Sequence, residues 1–119
     1  MIITTGTIEL PFIKNISNRY FNLKDKGYFY LKVGKFKAIL LNKISIDNLE
    51  IITMNANNLI TCQGAITQIA ASFNVNLMDI LERSQEKWYF RHTSHIKKYN
   101  KLYRKNFKEL SKEIILKIK

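Results

Sequence analysis

Few residues in this chain have a type and spacing that could carry out a reaction. His92 and His95 stand three apart, close enough to share a helix face and hold a metal. No cysteine lies near them and no carboxylate is close in sequence, so the residue types favour two solvated or phosphate-facing histidines over a ligand set. Asp79 and Glu82 are the one pair of carboxylates at helical spacing, and they read as partners for neighbouring Lys and Arg rather than as a general acid and base. Cys62 is the only cysteine, which excludes an internal disulfide and a cysteine cage. Neither a phosphate-cradling glycine loop nor a serine nucleophile elbow is present. The expectation is a protein that is not an enzyme, with no metal, no cofactor and no small-molecule substrate.

The chemistry left to consider is the neutralisation of phosphate. The 119 residues carry a net charge of +11. Residues 1–86 hold nine Lys/Arg against seven Asp/Glu, whereas residues 87–119 hold eleven against Glu109 and Glu113. Ile, Lys and Asn together make up 46 of the 119 residues, all with AT-rich codons, so the placement of the charge carries the argument and the abundance of Lys does not. A field of one sign over the last 33 residues attracts polyanions in a salt-dependent way. The residues expected to contact RNA are Lys87, Arg91, Lys97, Lys98, Lys101, Arg104, Lys105, Lys108 and Lys112, with Lys32, Lys35 and Lys37 as a weaker second surface. Like charges at i,i+4, such as Lys97/Lys101 and Lys108/Lys112, would each destabilise an isolated helix by roughly 0.2–0.5 kcal/mol, a cost that bound phosphates would offset. Tyr99, Tyr103, Trp88 and Phe90 offer faces for unpaired bases, although Trp88 is expected chiefly to anchor a hairpin to the tail.

These residues need elements to hold them. Segments rich in aromatic and β-branched residues predict strands over Tyr28–Val33, Phe36–Ile44, Leu49–Met54 and Leu59–Cys62, and "TGTIELPFI" could add another. Helical spacing follows: Ala65, Ile66, Ile69, Ala70 and Phe73, then Leu77, Ile80, Leu81, Ser84 and Trp88, then Ile96, Tyr99, Tyr103, Phe107, Leu110, Ile114 and Ile118. The expected architecture is α+β. A small SH3-like β-barrel occupies residues 1–63, and residues 64–119 form a helical hairpin and a long basic C-terminal helix. An alternative reads residues 66–85 as a DNA-binding helix-turn-helix of a small regulator, with Ala70 at the close approach and Val75 closing the turn. The residues that would then face DNA, including Leu77, Met78, Leu81 and Glu82, are mostly apolar or acidic, whereas base readout uses Arg, Lys, Asn and Gln. A protein-binding inhibitor with an incidental basic helix is a third class. No apolar run reaches the roughly 20 residues needed to span a bilayer, so no membrane partner is expected.

The order of parts resembles the eukaryotic large-subunit ribosomal protein fourteen of the e-type family, over about residues 15 to 115. Lys26-Gly27-Tyr28 stands where that family opens its first barrel strand with Gly-Arg-Val. Gly34-Lys35-Phe36 with Ala38-Ile39 is similar to its Gly-Lys-Leu and Ala-Ile. Ile60-Thr61 is similar to the Leu-Thr that ends the barrel, and Glu86-Lys87-Trp88 and the Lys97-Lys98 pair follow at similar distances. Lys105 to Leu110 keeps the Phe of a Thr-Asp-Phe-x-Arg-Phe box at Phe107, with Asn106 for the acid and Glu109 for the Arg. The family's Asp-Gly-Pro after the third strand is missing. The resemblance implies a structural component of the cytoplasmic large ribosomal subunit, with ribosomal RNA and neighbouring large-subunit proteins as partners.

Overall fold

A computed structural model describes residues 1–4, 6, 8, 10, 11, 15, 22, 23, 29–41 and 43–118. The chain divides into two compact units, Met1–Leu49 and Glu50–Lys119. In the first, β1 (Ile2–Thr4), β2 (Asn22–Leu23), β3 (Phe29–Val33) and β4 (Phe36–Leu41) form a mixed sheet in the order β1-β4-β3-β2. Gly34-Lys35 closes the β3-β4 hairpin, pairing Val33 with Phe36. Gly34 sits at φ 58, the positive φ that the first position of a two-residue hairpin turn requires. β1 joins β4 in parallel, aligning Ile2 with Ile39, and the Met1 ammonium donates to the Lys37 carbonyl at 2.9 Å. Ala38 and Leu40 alternate with exposed Lys37 along β4 and are buried.

The second unit is a parallel sheet built from strand–helix repeats. After α1 (Ile46–Met54), β5 (Asn58–Thr61), α2 (Ala65–Ala71), β6 (Asn76–Leu81), α3 (Glu86–Thr93), β7 (Tyr99–Tyr103) and α4 (Phe107–Ile118) follow in order. The three strands lie side by side in sequence order, so α2 and α3 each return the chain from the carboxyl end of one strand to the amino end of the next. Leu77, Asp79 and Leu81 face α2 and α3; Met78 faces the opposite side, and all four are buried. Ala70, Val75 and Leu77 form the centre of the core, with Ala56, Leu59, Ile96 and Tyr99 packed around them. Three asparagines lock the other face near its amino edge. Asn76 donates to Asn58 at 2.7 Å, Asn100 donates to Asn76 at 2.8 Å, and Asn76 also reaches the Lys117 carbonyl of α4 at 3.4 Å.

This architecture corrects the sequence reading in several places. Neither sheet closes into an SH3-like barrel. Leu49–Met54 is helical because Ser45 caps α1, accepting from the Asn48 N–H at 3.2 Å, and Asp47 sits in the first turn where the helix dipole favours an acid. The run Leu77–Leu81, expected as the second helix of a hairpin, is the central strand. A parallel strand covered on both faces carries a near-continuous apolar run, which periodicity cannot tell from a buried helix. Without that second helix there is no helix-turn-helix over residues 66–85. The long basic helix is absent too: Tyr99–Tyr103 is strand β7, and only Phe107–Ile118, 12 residues, is helical. Tyr99 and Tyr103 are four apart, an even number, so the pair satisfies the strand period as well as the helical one. The Lys26-Gly27-Tyr28 motif, and the "TGTIELPFI" strand except at Gly6, Ile8, Leu10 and Pro11, lie outside the described residues. Among the described residues no helix is long and apolar enough to cross a membrane.

Candidate nucleic-acid interface

The expected basic face is divided among β7, two loops and α4, and its middle is neutralised. At the carboxyl end of the parallel sheet, Lys101 Nζ meets Glu86 Oε1 at 2.6 Å and Arg104 meets Glu82 at 3.1 Å. Lys105, in the loop before α4, pairs with Glu113 at 2.5 Å. Hydrogen bonds from Lys101 and then from Tyr103 hold the Glu86 carboxyl below its ordinary range. The Arg83 guanidinium lies 4.4 Å above the Tyr103 ring, a cation–π contact. Strand pairing explains this closure: Asp79 aligns with Lys101 and Leu81 with Tyr103, which brings the acids that follow β6 against the cations of β7.

The outer face of α3 has the opposite character. Tyr89 and Thr93 turn inward, and Thr93 is buried. Lys87, Trp88, Phe90, Arg91 and His92 turn outward; Trp88 is 60% and Phe90 61% exposed. Trp88 therefore does not anchor a hairpin. Its ring packs edge-on against Tyr89 (centroids 4.9 Å) and at a tilt against His92 (4.8 Å), and with Gln85 and Tyr89 it borders a shallow depression. Lys87 and Arg91, one turn apart, lie between Trp88 on one side and Phe90 on the other. No Asp or Glu occurs between Lys87 and Lys108, and Glu86, the nearest acid, is engaged by Lys101. Cations interleaved with exposed rings are what unpaired bases and their phosphates bind.

α3 runs toward the amino ends of the strands, where Ser94–Lys98 leads into β7. His95, Lys97 and Lys98 are exposed there, and with Phe73, Asn74 and Ile96 they line a concavity of about 340 Å³. Lys97 and Lys98 thus follow Lys87 and Arg91 along one helix and the loop that leaves it. Lys108 and Lys112 are exposed on α4, whose first turn is capped by Asn106 Oδ1 accepting from the Glu109 N–H at 3.0 Å. In the other unit Lys32 pairs directly opposite Lys37, and Lys35 sits in the intervening turn, so the structure gathers those three at one hairpin tip. His92 and His95 belong to α3 and its loop, and among the described residues no group of three or more His, Cys, Asp or Glu could hold a metal.

Tyr99 is not available to a base. Its hydroxyl donates to Asp79 Oδ2 at 3.0 Å, while the Gln63 N–H donates to Asp79 Oδ1 at 2.8 Å. Gln63 reaches that carboxylate because the turn after β5 takes positive φ at Gln63 and Gly64. Burial raises the Asp79 pKa, opposed by these two hydrogen bonds and by nearby Thr67. The Tyr99 hydroxyl is pushed up by its own burial and by the Asp79 charge. This polar knot ties β5, β6 and β7 together beneath α2 and α3 and fixes the base on which the α3 face rests. Sequence reading missed Phe73 and Asn74; the signal for the α3 face, an aromatic triplet inside a 22-residue stretch without acids, was legible. Comparison with protein-family models, with curated proteins and with solved structures finds no match.

Proposed function

We propose that this protein binds single-stranded RNA along the outer face of α3 and the loop that follows it, without catalysing a reaction. The observation that supports this most is the exposure of Trp88 and Phe90 beside Lys87 and Arg91 on a helix face with no uncommitted acid. A large exposed aromatic costs solvation free energy unless a partner covers it, and a base covers it while its phosphate meets the adjacent cation. The choice of RNA over DNA comes from the sequence resemblance, which further implies the large ribosomal subunit, its RNA and its proteins as the setting. The barrel implied by the same resemblance is not formed, so the binding face is argued from α3, and only the choice of RNA and the ribosomal setting rest on that resemblance.

Trp88 is the only tryptophan, so its fluorescence reports on the proposed site directly. Titration with an oligouridylate should quench it saturably, and Trp88→Ala should weaken binding about 5- to 150-fold, the range for losing one base stack of roughly 1–3 kcal/mol. Unquenched Trp88, or an alanine variant that binds as the wild type does, overturns the reading. A DNA strand of the same base order bound equally well removes RNA preference, and absence of the protein from sedimenting ribosomal particles in its native cells removes the ribosomal setting.

A further inference from the structure

The concavity between the α2-β6 loop and the α3-β7 loop has a composition distinct from the rest of the surface. Phe73 and Ile96 are half-buried and give it an apolar wall. Exposed Asn74 lines it from the loop before β6, and exposed His95, Lys97 and Lys98 line it from the loop before β7. No acid lines it. At about 340 Å³ it falls within the size range of small-ligand sites and is large enough for one nucleotide. The fold makes this pocket by topology: β6 and β7 are parallel neighbours, so the loops entering them emerge side by side at the same end of the sheet. The cations at this end also differ from those at the other. Lys101 and Arg104 are held by Glu86 and Glu82 at the carboxyl end, whereas at the amino end Lys97 and Lys98 face an opening lined by no carboxylate.

We infer that this concavity is a binding site for one nucleoside monophosphate unit, and, resting on the RNA reading above, that it receives one nucleotide of the strand held on α3. The base lies against Phe73 and Ile96, where Asn74 offers both a donor and an acceptor to its edge. The phosphate meets Lys97 and Lys98, and His95 lies on the path from α3. An aromatic wall, one amide and a cationic lip supply the three contacts that a nucleotide needs and that a free anion does not use. Phosphate binding alone would call for the lysines without the ring.

The full chain, at 119 residues, suits amide-resolved NMR. Adenosine and uridine monophosphates are titrated beside adenosine and beside inorganic phosphate. The mononucleotides are expected to shift the amides of residues 73, 74 and 95–98 saturably, at least fivefold more tightly than either half. Phe73→Leu, which keeps apolar bulk but removes the ring, and the exposed pair Lys97→Ala/Lys98→Ala are each expected to weaken this at least fivefold while the remaining resonances keep their dispersion. Phosphate binding as tightly as the mononucleotides, or shifts spread equally over Lys108 and Lys112, overturns the inference. Trp88 quenching by oligouridylate with no local mononucleotide shifts discards the pocket and keeps the α3 reading. Mononucleotide shifts without quenching discard the α3 reading and keep the pocket.

Discussion

Truncating Leu77 and Met78 separately to alanine tests whether residues 76–81 are a strand covered on both faces. Each side chain is 0% exposed, and the two point to opposite sides of the parallel sheet. Leu77→Ala removes three carbons, about 2.4 kcal/mol at roughly 0.8 kcal/mol per buried methylene, before the cavity is counted. The Leu77 wall is made of Ala70, Val75, Leu59, Ile96 and Tyr99, several of them held by the sheet and by the Asp79 knot, so it collapses poorly. That places the cost in the upper part of the roughly 2.7–5 kcal/mol seen for such changes. Met78 is the more adaptable side chain, and about 2–3 kcal/mol is expected. Both are large against the roughly 5–15 kcal/mol of a small domain.

A helix over the same residues forecasts a different pattern. Its apolar stripe would hold Leu77, Ile80, Leu81 and Trp88, with Met78 turned about 100° away, so that Met78→Ala would stay within about 0.5 kcal/mol of wild type. Trp88→Ala would in that case cost roughly 3–5 kcal/mol as a core truncation; on the strand it is a surface change and costs little. Urea denaturation followed by far-UV circular dichroism measures all three. A harmless Met78→Ala together with a destabilising Trp88→Ala would refute the strand and with it the exposed platform on α3.

Asp79→Asn should change the pH dependence of stability. The folded-state pKa of Asp79 is raised above its ordinary value of 3.8 by burial, so the native state binds the proton more tightly than the unfolded chain does. Stability from this group is therefore greatest below that value and is lost as pH rises through the folded pKa. Asparagine keeps an acceptor for Gln63 and carries no charge, so the variant should gain on wild type between mildly acidic and neutral pH; a constant difference across a pH series of melts would contradict this. For RNA, Lys87→Ala/Arg91→Ala should flatten the dependence of log K on log salt by about 1.4, two phosphate contacts at roughly 0.7 each for a single strand. Lys101→Met, which removes a cation already held by Glu86, should leave that slope within experimental error, and an equal loss from both variants would mean that binding follows total charge.

Much of the secondary structure was legible where one period alone fits. The β3-β4 hairpin declares itself through Gly34-Lys35 between aromatic and β-branched runs, and α2 through Ala65, Ile66, Ile69 and Ala70. The rest was ambiguous for physical reasons. "LEIITM" has β-branched content, but a serine cap and an acid in the first turn outweigh propensity, as local capping does in a short helix. "NLMDIL" is apolar on both faces because helices cover both sides, which removes the alternation that marks a strand. Of the candidate site, Lys87, Arg91, Lys97 and Lys98 were found by charge. Lys101, Arg104 and Lys105 were found by charge too, but their acids sit 8 to 22 residues away in the chain. A count along the sequence cannot see such a pairing.

That distance carries the wider point about charge. Counted along the chain, the last 33 residues hold nearly all the excess; counted by folded unit, residues 1–49 carry +5 and residues 50–119 carry +6. The fold takes cations from the carboxyl third and sets them against acids of the segment before it, because parallel pairing of β6 with β7 aligns Asp79 with Lys101. What remains unneutralised is sorted by the direction of the strands. The ends where β6 and β7 stop are closed by Glu82–Arg104 and Glu86–Lys101. The loop where β7 begins carries Lys97 and Lys98, and α3, with Lys87 and Arg91, connects the two ends. On the proposed reading, a polyanion bound to this unit would run along α3 toward the amino ends of the strands, past Trp88 and on to Phe73. Reversing that polarity, by moving the acids to the amino end with Lys97→Glu/Lys98→Glu, should abolish RNA binding without unfolding the sheet, since both positions are exposed.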